Sequence, residues 1–298
     1  MNPEKSILKY LSEKSPLSFR DFVWFILYHP DVGYYSRHLQ PNKVHRRRAI
    51  DVAVEDMLEF CDGEVLELKI LNDVEKLEDG FRGVIVANEF FTSLPFYLVD
   101  RGMEVYVDIN GEEFNETLME PSKELKEFLS YTSAYVDVTR YPACVDAAKM
   151  AELIGSKLER GFLLAIDYGL PAEEYYSRKL RIACFSEDTF GHNPYSKVGL
   201  QAVAAPVDFT ALIEWGGRSG FSITGFTSYR YFLLNTIGED ELEEPSDFKS
   251  IAMPATIKVL VMHKGITRQK LKCLRSTPSF GYWNRYNYEI TDEFESGD

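Results

Sequence analysis

A chain of 298 residues, 45% apolar and 14% aromatic, has ample material for a packed core, which excludes general disorder. Its formal net charge of −14 argues against a grip on nucleic-acid phosphates or an anionic membrane surface, and favours a cationic partner or a basic protein segment. The four cysteines, Cys61, Cys144, Cys184 and Cys273, form no CxxC pair, so the expectation is no metal site and reduced thiols in a cytoplasmic protein.

Apolar spacing predicts a helix over residues 4–12, ended by Ser15-Pro16. Ser18 can cap a second helix that carries Phe19, Phe22, Val23, Phe25, Ile26 and Leu27 and stops before Pro30. Lys43 to Arg48 is a basic cluster, read as a solvated helix start or loop. A helix over Ile50 to Phe60 and a strand over Glu64 to Leu71 follow. Val84 to Ala87 is a β-branched apolar run that suits a strand buried on both faces, and it ends abruptly in Asn88-Glu89. Phe96 to Val99, Met103 to Ile109 and Phe114 to Met119 read as strands, the last two joined by the turn signal Asn110-Gly111. Helices are predicted over Pro121 to Tyr131 and Ala143 to Leu158, with Arg140-Tyr141-Pro142 as a loop between them. A second buried strand, Phe162 to Ile166, ends in Asp167-Tyr168-Gly169.

Polar residues at the end of a buried strand are costly unless they face a crevice or find partners. In open α/β sheets ligands sit beyond the carboxyl ends of the strands, so Asn88, Glu89 and Asp167 are candidates for a shared site. The plainer alternatives are a solvated turn at Asn88-Glu89 and a capping role for Asp167. Asp208, in Val207-Asp208-Phe209, can likewise cap the helix that follows it.

Ser18-Phe19-Arg20-Asp21-Phe22 with Tyr28-His29-Pro30-Asp31-Val32-Gly33-Tyr34-Tyr35 resembles the amino-terminal signature of the MidA family. Asn88-Glu89-Phe90-Phe91 with Leu94-Pro95, Asp167-Tyr168-Gly169, Leu180-Arg181 and Val207-Asp208-Phe209 resemble its later signatures, in order. These are S-adenosylmethionine-dependent methyltransferases, a group that includes the mitochondrial complex I assembly methyltransferase. The resemblance implies an α/β, Rossmann-like methyltransferase sheet with an inserted hairpin and helical subdomain. It implies an N-terminal helical segment over 1–62, an α/β domain over 63–265 with an insertion around 100–160 that forms a lid, and a tail over 266–298 outside the resemblance. It further implies S-adenosyl-L-methionine as cofactor, a protein arginine as methyl acceptor and a part in complex I assembly. The implied catalytic residues are Asn88, Glu89 and Asp167. The implied cofactor contacts are Glu67, Asn88, Tyr168 and Gly169, and the implied substrate contacts are Phe90, Phe91, Arg181 and Asp208. Glu89 suits a guanidinium, because a carboxylate accepts two parallel N–H bonds.

Departures from the family accompany these matches. Leu66-Glu67-Leu68-Lys69 can match its first strand, yet no Gly-x-Gly follows. Thr92 stands where an aspartate is usual, Ala204 and Pro206 stand where threonine and histidine are usual, and His192 lies one place from the usual histidine. The alternative expectation is therefore a non-catalytic methyltransferase-fold protein that binds or assembles a partner. Oligomerisation stays open.

Overall fold

In a computed structural model the chain is described over residues 3–37, 47–110, 113–177, 182–186, 190–238, 257–267 and 269–275. Helix α1 (Pro3–Lys14) leads through strand β1 (Leu17–Ser18) into α2 (Phe19–Tyr28) and the short α3 (Tyr34–Arg37). Then come α4 (Arg47–Leu58), β2 (Glu64–Leu68), β3 (Phe81–Asn88), β4 (Tyr97–Asp100), β5 (Met103–Asn110) and β6 (Glu113–Met119). Helix α5 (Lys123–Thr132), β7 (Arg140–Ala143), α6 (Val145–Lys157), β8 (Leu158–Leu170) and α7 (Ala172–Tyr175) follow. The last elements are β9 (Ala183–Phe185), β10 (Phe190–Gly191), β11 (Ala202–Ala204), β12 (Val207–Asp208), α8 (Phe209–Arg218), β13 (Ser222–Ser228), α9 (Tyr229–Thr236) and β14 (Ile257–Lys264).

The main sheet runs β13-β14-β8-β3-β2, with β12 added beside the end of β8. Strands β2, β3 and β8 are parallel, and β14 and β13 close that side antiparallel. The alternation of a strand explains its two covered faces. Ile85 and Ala87 of β3 meet a core that includes Ala148, Ala151 and Ile154 of α6 and Leu212 and Trp215 of α8. Val84 and Val86 face the opposite way, into a core with Ile50, Ala53 and Met57 of α4 and Phe232 and Leu233 of α9. Helices on both faces make this a mixed α/β sheet whose central strands have no wet face, which is why they read as continuous apolar runs. At their starts the strands lie so close that a Cβ on Gly161 would come within 1.8 Å of the Gly83 carbonyl oxygen.

A second, antiparallel sheet runs β1-β5-β4-β7, with β6 paired to β5. The inserted hairpin β5–β6 therefore belongs to a sheet that also takes in the N-terminal strand β1, whereas Leu125 and Phe128 of α5 join the core under the main sheet. Helix α2 is buried at seven of its ten residues against this second sheet and β11, and the Ser18 side chain accepts the Asp21 N–H at 3.0 Å as its cap. Burying each large apolar side chain of that helix contributes about 2 kcal/mol. A third small sheet is β10-β9-β11.

Some expectations need correction. Arg140-Tyr141-Pro142 is not a loop but strand β7, paired to β4. Proline lacks a donor, and β7 is tolerated because it lies at the edge of its sheet. Strand β2 stops at Leu68 instead of reaching Leu71, because Asp73 takes the next backbone donors and bends the chain into a 3-10 turn over Leu71–Lys76. Strand β8 extends beyond Phe162–Ile166 to Leu158–Leu170. Gly111, most of the basic cluster, the acidic loop after Gly238 and the aromatic tail lie outside the described residues.

Candidate functional site

Strands β3 and β8 lie side by side with Ala87 opposite Ala165 and Asn88 opposite Ile166; β3 ends there, while β8 runs on to Leu170 between β14 and β12. The Glu89 N–H donates to the Ile166 carbonyl at 2.8 Å, and Glu89 takes φ +52. That left-handed conformation costs a residue with a Cβ about 1 kcal/mol. It turns the chain at once into a 3-10 turn over Phe91–Ser93.

Asp167, completely buried, holds that turn in place. Its carboxylate accepts the Phe91 N–H at 2.8 Å, the Thr92 N–H at 3.3 Å, the Thr92 hydroxyl at 2.6 Å and its neighbour's Tyr168 N–H at 3.1 Å. Burial pushes its pKa up, the Thr92 hydroxyl pulls it down and the nearby Glu89 charge pushes it up again, to about 7. Asp167 does not cap a turn following it, as the plainer alternative had it, because β8 continues through Leu170; it holds the turn after β3 instead, and these contacts set the path of Asn88-Glu89-Phe90-Phe91. Helix α2 braces the turn from behind: the Tyr28 hydroxyl donates to the Ser93 carbonyl at 2.9 Å and lies 3.2 Å from the Ser93 hydroxyl.

Asn88 is half-buried, and its Oδ1 is buried with no hydrogen-bond partner among the described residues. An unmet buried carbonyl costs about 1–3 kcal/mol. Glu89 follows Asn88 directly at the end of β3. Asn88, Glu89 and Asp167 are thus brought together at one strand edge.

The remaining candidates are held by structural contacts. Phe90 and Phe91 are buried in the main core with their rings edge to face, 5.2 Å apart. Gly169 lies where β12 joins β8, and a Cβ there would come within 2.1 Å of the Val207 carbonyl oxygen. Tyr168 is exposed. Glu67 pairs with Arg47 and, at 3.3 Å, with Lys69; burial raises its carboxyl, and the two cations outweigh burial and hold it low. Asp208 caps α8 through the Ala211 N–H at 3.1 Å and accepts the Tyr176 hydroxyl at 2.9 Å and the Tyr131 hydroxyl at 3.1 Å. Burial pushes Asp208 up to about 6 against those bonds. Arg181 lies outside the described residues. The His192 Nδ1 lies 2.9 Å from the Ile182 carbonyl oxygen. It lines a cavity of about 290 Å³ with Leu98, Glu116, Arg140 and Tyr195, a lining that includes none of Asn88, Glu89 and Asp167.

Two contributors escaped the sequence reading. Thr92 was noted only for not being aspartate, yet its hydroxyl makes the shortest bond to Asp167. Asp73 closes the turn after β2, accepting the Lys69 N–H at 2.8 Å and the Ile70 N–H at 3.0 Å. An aspartate two residues beyond the end of the predicted strand Glu64 to Leu71 is the signal that could have revealed it.

The described helices include none long and apolar enough to cross a membrane. The chain superposes on a COG1565 superfamily protein from Burkholderia thailandensis with TM-score 0.78 at 21% identity, over 93% of this chain and 96% of that one. A second COG1565 superfamily member from the same organism, crystallised with S-adenosyl-homocysteine, superposes with TM-score 0.75 at 20% identity over the same shares. At such identity the likeness establishes the fold, which is methyltransferase-like. No curated protein matches the chain. A family model described as "Putative S-adenosyl-L-methionine-dependent methyltransferase" matches residues 37–227, more than half of the chain. The chain therefore belongs to this S-adenosyl-L-methionine-dependent methyltransferase family, Methyltransf_28, the MidA-like group that its signature segments resemble.

Proposed function

We propose that this chain serves methyl transfer to an arginine side chain of a protein, and that the edge formed by Asn88, Glu89 and Asp167 receives the acceptor. The observation that carries this reading is an unmet buried carbonyl oxygen, Asn88 Oδ1, on the residue that precedes Glu89 where β3 ends beside its parallel neighbour β8. A guanidinium offers two parallel N–H donors to Glu89 and a further one to Asn88, and its charge matches the acidic chain. Asp167 fixes the turn that aims both groups and keeps its own oxygens on Phe91, Thr92 and Tyr168. The family supports S-adenosyl-L-methionine as methyl donor, and a relative of the same fold holds S-adenosyl-homocysteine; a part in complex I assembly is proposed from the resemblance of the signature segments alone.

When bound, the sulfonium supplies an activated methyl group. The strand edge fits cationic chemistry of that kind, but the turn after β2 does not fit the adenosyl group. It has no glycine between Gly63 and Gly80, and its first backbone donors are held by Asp73. The same observation favours a second reading, a methyltransferase-fold protein that binds a basic protein segment without transferring a methyl group.

The test is titration of an arginine-containing basic peptide into the chain and into Glu89→Gln. Weakening by tenfold or more in the variant is expected, since a charged hydrogen-bond pair contributes roughly 1.5–3 kcal/mol. Equal affinity for both proteins, or no preference for arginine over glutamine in the peptide, would remove the acceptor assignment. Methyl incorporation into the same peptide then separates the enzyme from the binding protein.

A further inference from the structure

The glycine turn of a nucleotide-binding α/β sheet works because its backbone N–H groups stay open to the ligand and no Cβ blocks the approach. In this chain the corresponding place is filled. Lys69 and Ile70, the first two residues after β2, both donate their N–H groups to one oxygen of Asp73. The Leu71 backbone meets the Tyr28 hydroxyl. Burial works to raise the Asp73 carboxyl, while Lys76 at 2.5 Å and the two backbone donors outweigh it, so Asp73 stays ionised and the closure persists.

Side chains fill the space as well. Leu71 packs against both the main core and the core around α2, Ile70 packs against the latter, and Val74 and Leu77 are buried in the main core. After the 3-10 turn the chain returns directly to β3, the parallel neighbour of β2. Since β2, β3 and β8 keep the same order in the sheet as in the chain, with β4 to β7 diverted into the second sheet, this stretch has no reversal of strand order, the place where such sheets bind dinucleotides. The glycines beside these strands press on the chain's own backbone: Gly169 on Val207 at the carboxyl end, Gly161 on Gly83 at the amino end.

We infer that this chain, taken alone, does not hold S-adenosylmethionine: the donor half of the site is closed by Asp73, Ile70 and Leu71, while the acceptor half at Asn88 and Glu89 remains. The inference rests on the reading of that edge as an acceptor site and deepens it. Transfer then requires a second polypeptide that brings the donor half, and without one the chain is a binding protein for basic segments.

The experiment is calorimetric titration of S-adenosylhomocysteine into the full-length chain, with amide hydrogen exchange followed at Lys69 and Ile70. The expected result is no saturable heat at two temperatures and unchanged, slow exchange at both amides, although Lys69 is an exposed residue. A dissociation constant below about 100 μM, equivalent to roughly 5.5 kcal/mol, would overturn the inference. So would a change in exchange at Lys69 or Ile70 on adding the ligand. Asp73→Ala should speed exchange at both amides tenfold or more; unaltered exchange would show that Asp73 does not close the turn. The arginine-peptide titration is read separately. A silent peptide with silent S-adenosylhomocysteine removes the acceptor reading and leaves this inference standing, whereas binding of both ligands does the reverse.

Discussion

Replacing Asp167 by asparagine separates its charge from its shape. The wild-type carboxyl has a folded pKa of about 7 against an ordinary value of 3.8. Below the ordinary value it is protonated in folded and unfolded chains alike, and its contribution is fully present. As pH rises the unfolded chain ionises first, so that contribution declines and is lost as pH passes through the folded value. A gap of about three pH units at ~1.4 kcal/mol each gives about 4 kcal/mol between pH 4 and pH 8. Asparagine can still accept the Phe91 and Thr92 N–H bonds with its oxygen, but its amide meets the Tyr168 N–H, donor against donor. That loss costs about 1–2 kcal/mol at any pH. Asp167→Asn should therefore be about 2 kcal/mol less stable than wild type at pH 4.5 and equal to it, or about 2 kcal/mol more stable, at pH 8. Urea unfolding followed by tryptophan fluorescence at pH 4.5, 6 and 8 measures both curves, and their difference isolates Asp167 from Asp208. A constant difference across that range would refute the account of a carboxyl held neutral by burial.

Three further outcomes are expected. Asn88→Ala removes an unmet buried oxygen and should leave urea stability unchanged or raise it by about 1 kcal/mol, while weakening the arginine peptide; a loss above 2 kcal/mol would mean the amide is held by a partner. Gly169→Ala forces a Cβ onto the Val207 carbonyl and should cost about 3 kcal/mol or more through the overpacked β8–β12 pair, read as a fall in melting temperature. Tyr176→Phe removes a donor that holds the Asp208 carboxyl down, so its folded pKa should climb further above 6. The resulting loss of about 1–2 kcal/mol should be larger at pH 8 than at pH 5, and an equal loss at both would show that Asp208 does not titrate in that window.

The buried strands β3 and β8 were legible because central parallel strands cannot hide their composition: Val84 to Ala87 and Phe162 to Ile166 are apolar on both faces, and the polar residues after them marked the place where Asn88, Glu89 and Asp167 come together. The caps at Ser18 and Asp208 were legible for a local reason, since each bonds a backbone donor three residues ahead. Strand β7 was not, because Pro142 reads as a loop until an edge position is available for it. Of the second sheet, β4, β5 and the β5–β6 hairpin were legible from their strand runs and Asn110-Gly111, but the pairing of β1 was not, because β1 and β5 pair across about ninety residues of chain and short pairings of that kind leave no periodic trace. The missing glycine turn was visible in the sequence, but its replacement was not: only the folded geometry shows one aspartate answering two amides while Ile70 and Leu71 fill the volume.

The bond from Tyr28 to Ser93 joins the two segments that carry the amino-terminal resemblance and the Asn-Glu resemblance, 65 residues apart. As a record of descent the pair behaves as one character. Any residue at 93 keeps the carbonyl that Tyr28 reaches, so the bond depends on the tyrosine hydroxyl and only its weaker contact depends on the serine. The turn also carries the amides that Asp167 binds, so a single hydroxyl in the amino-terminal helix bears on the geometry of the strand edge from 65 residues away.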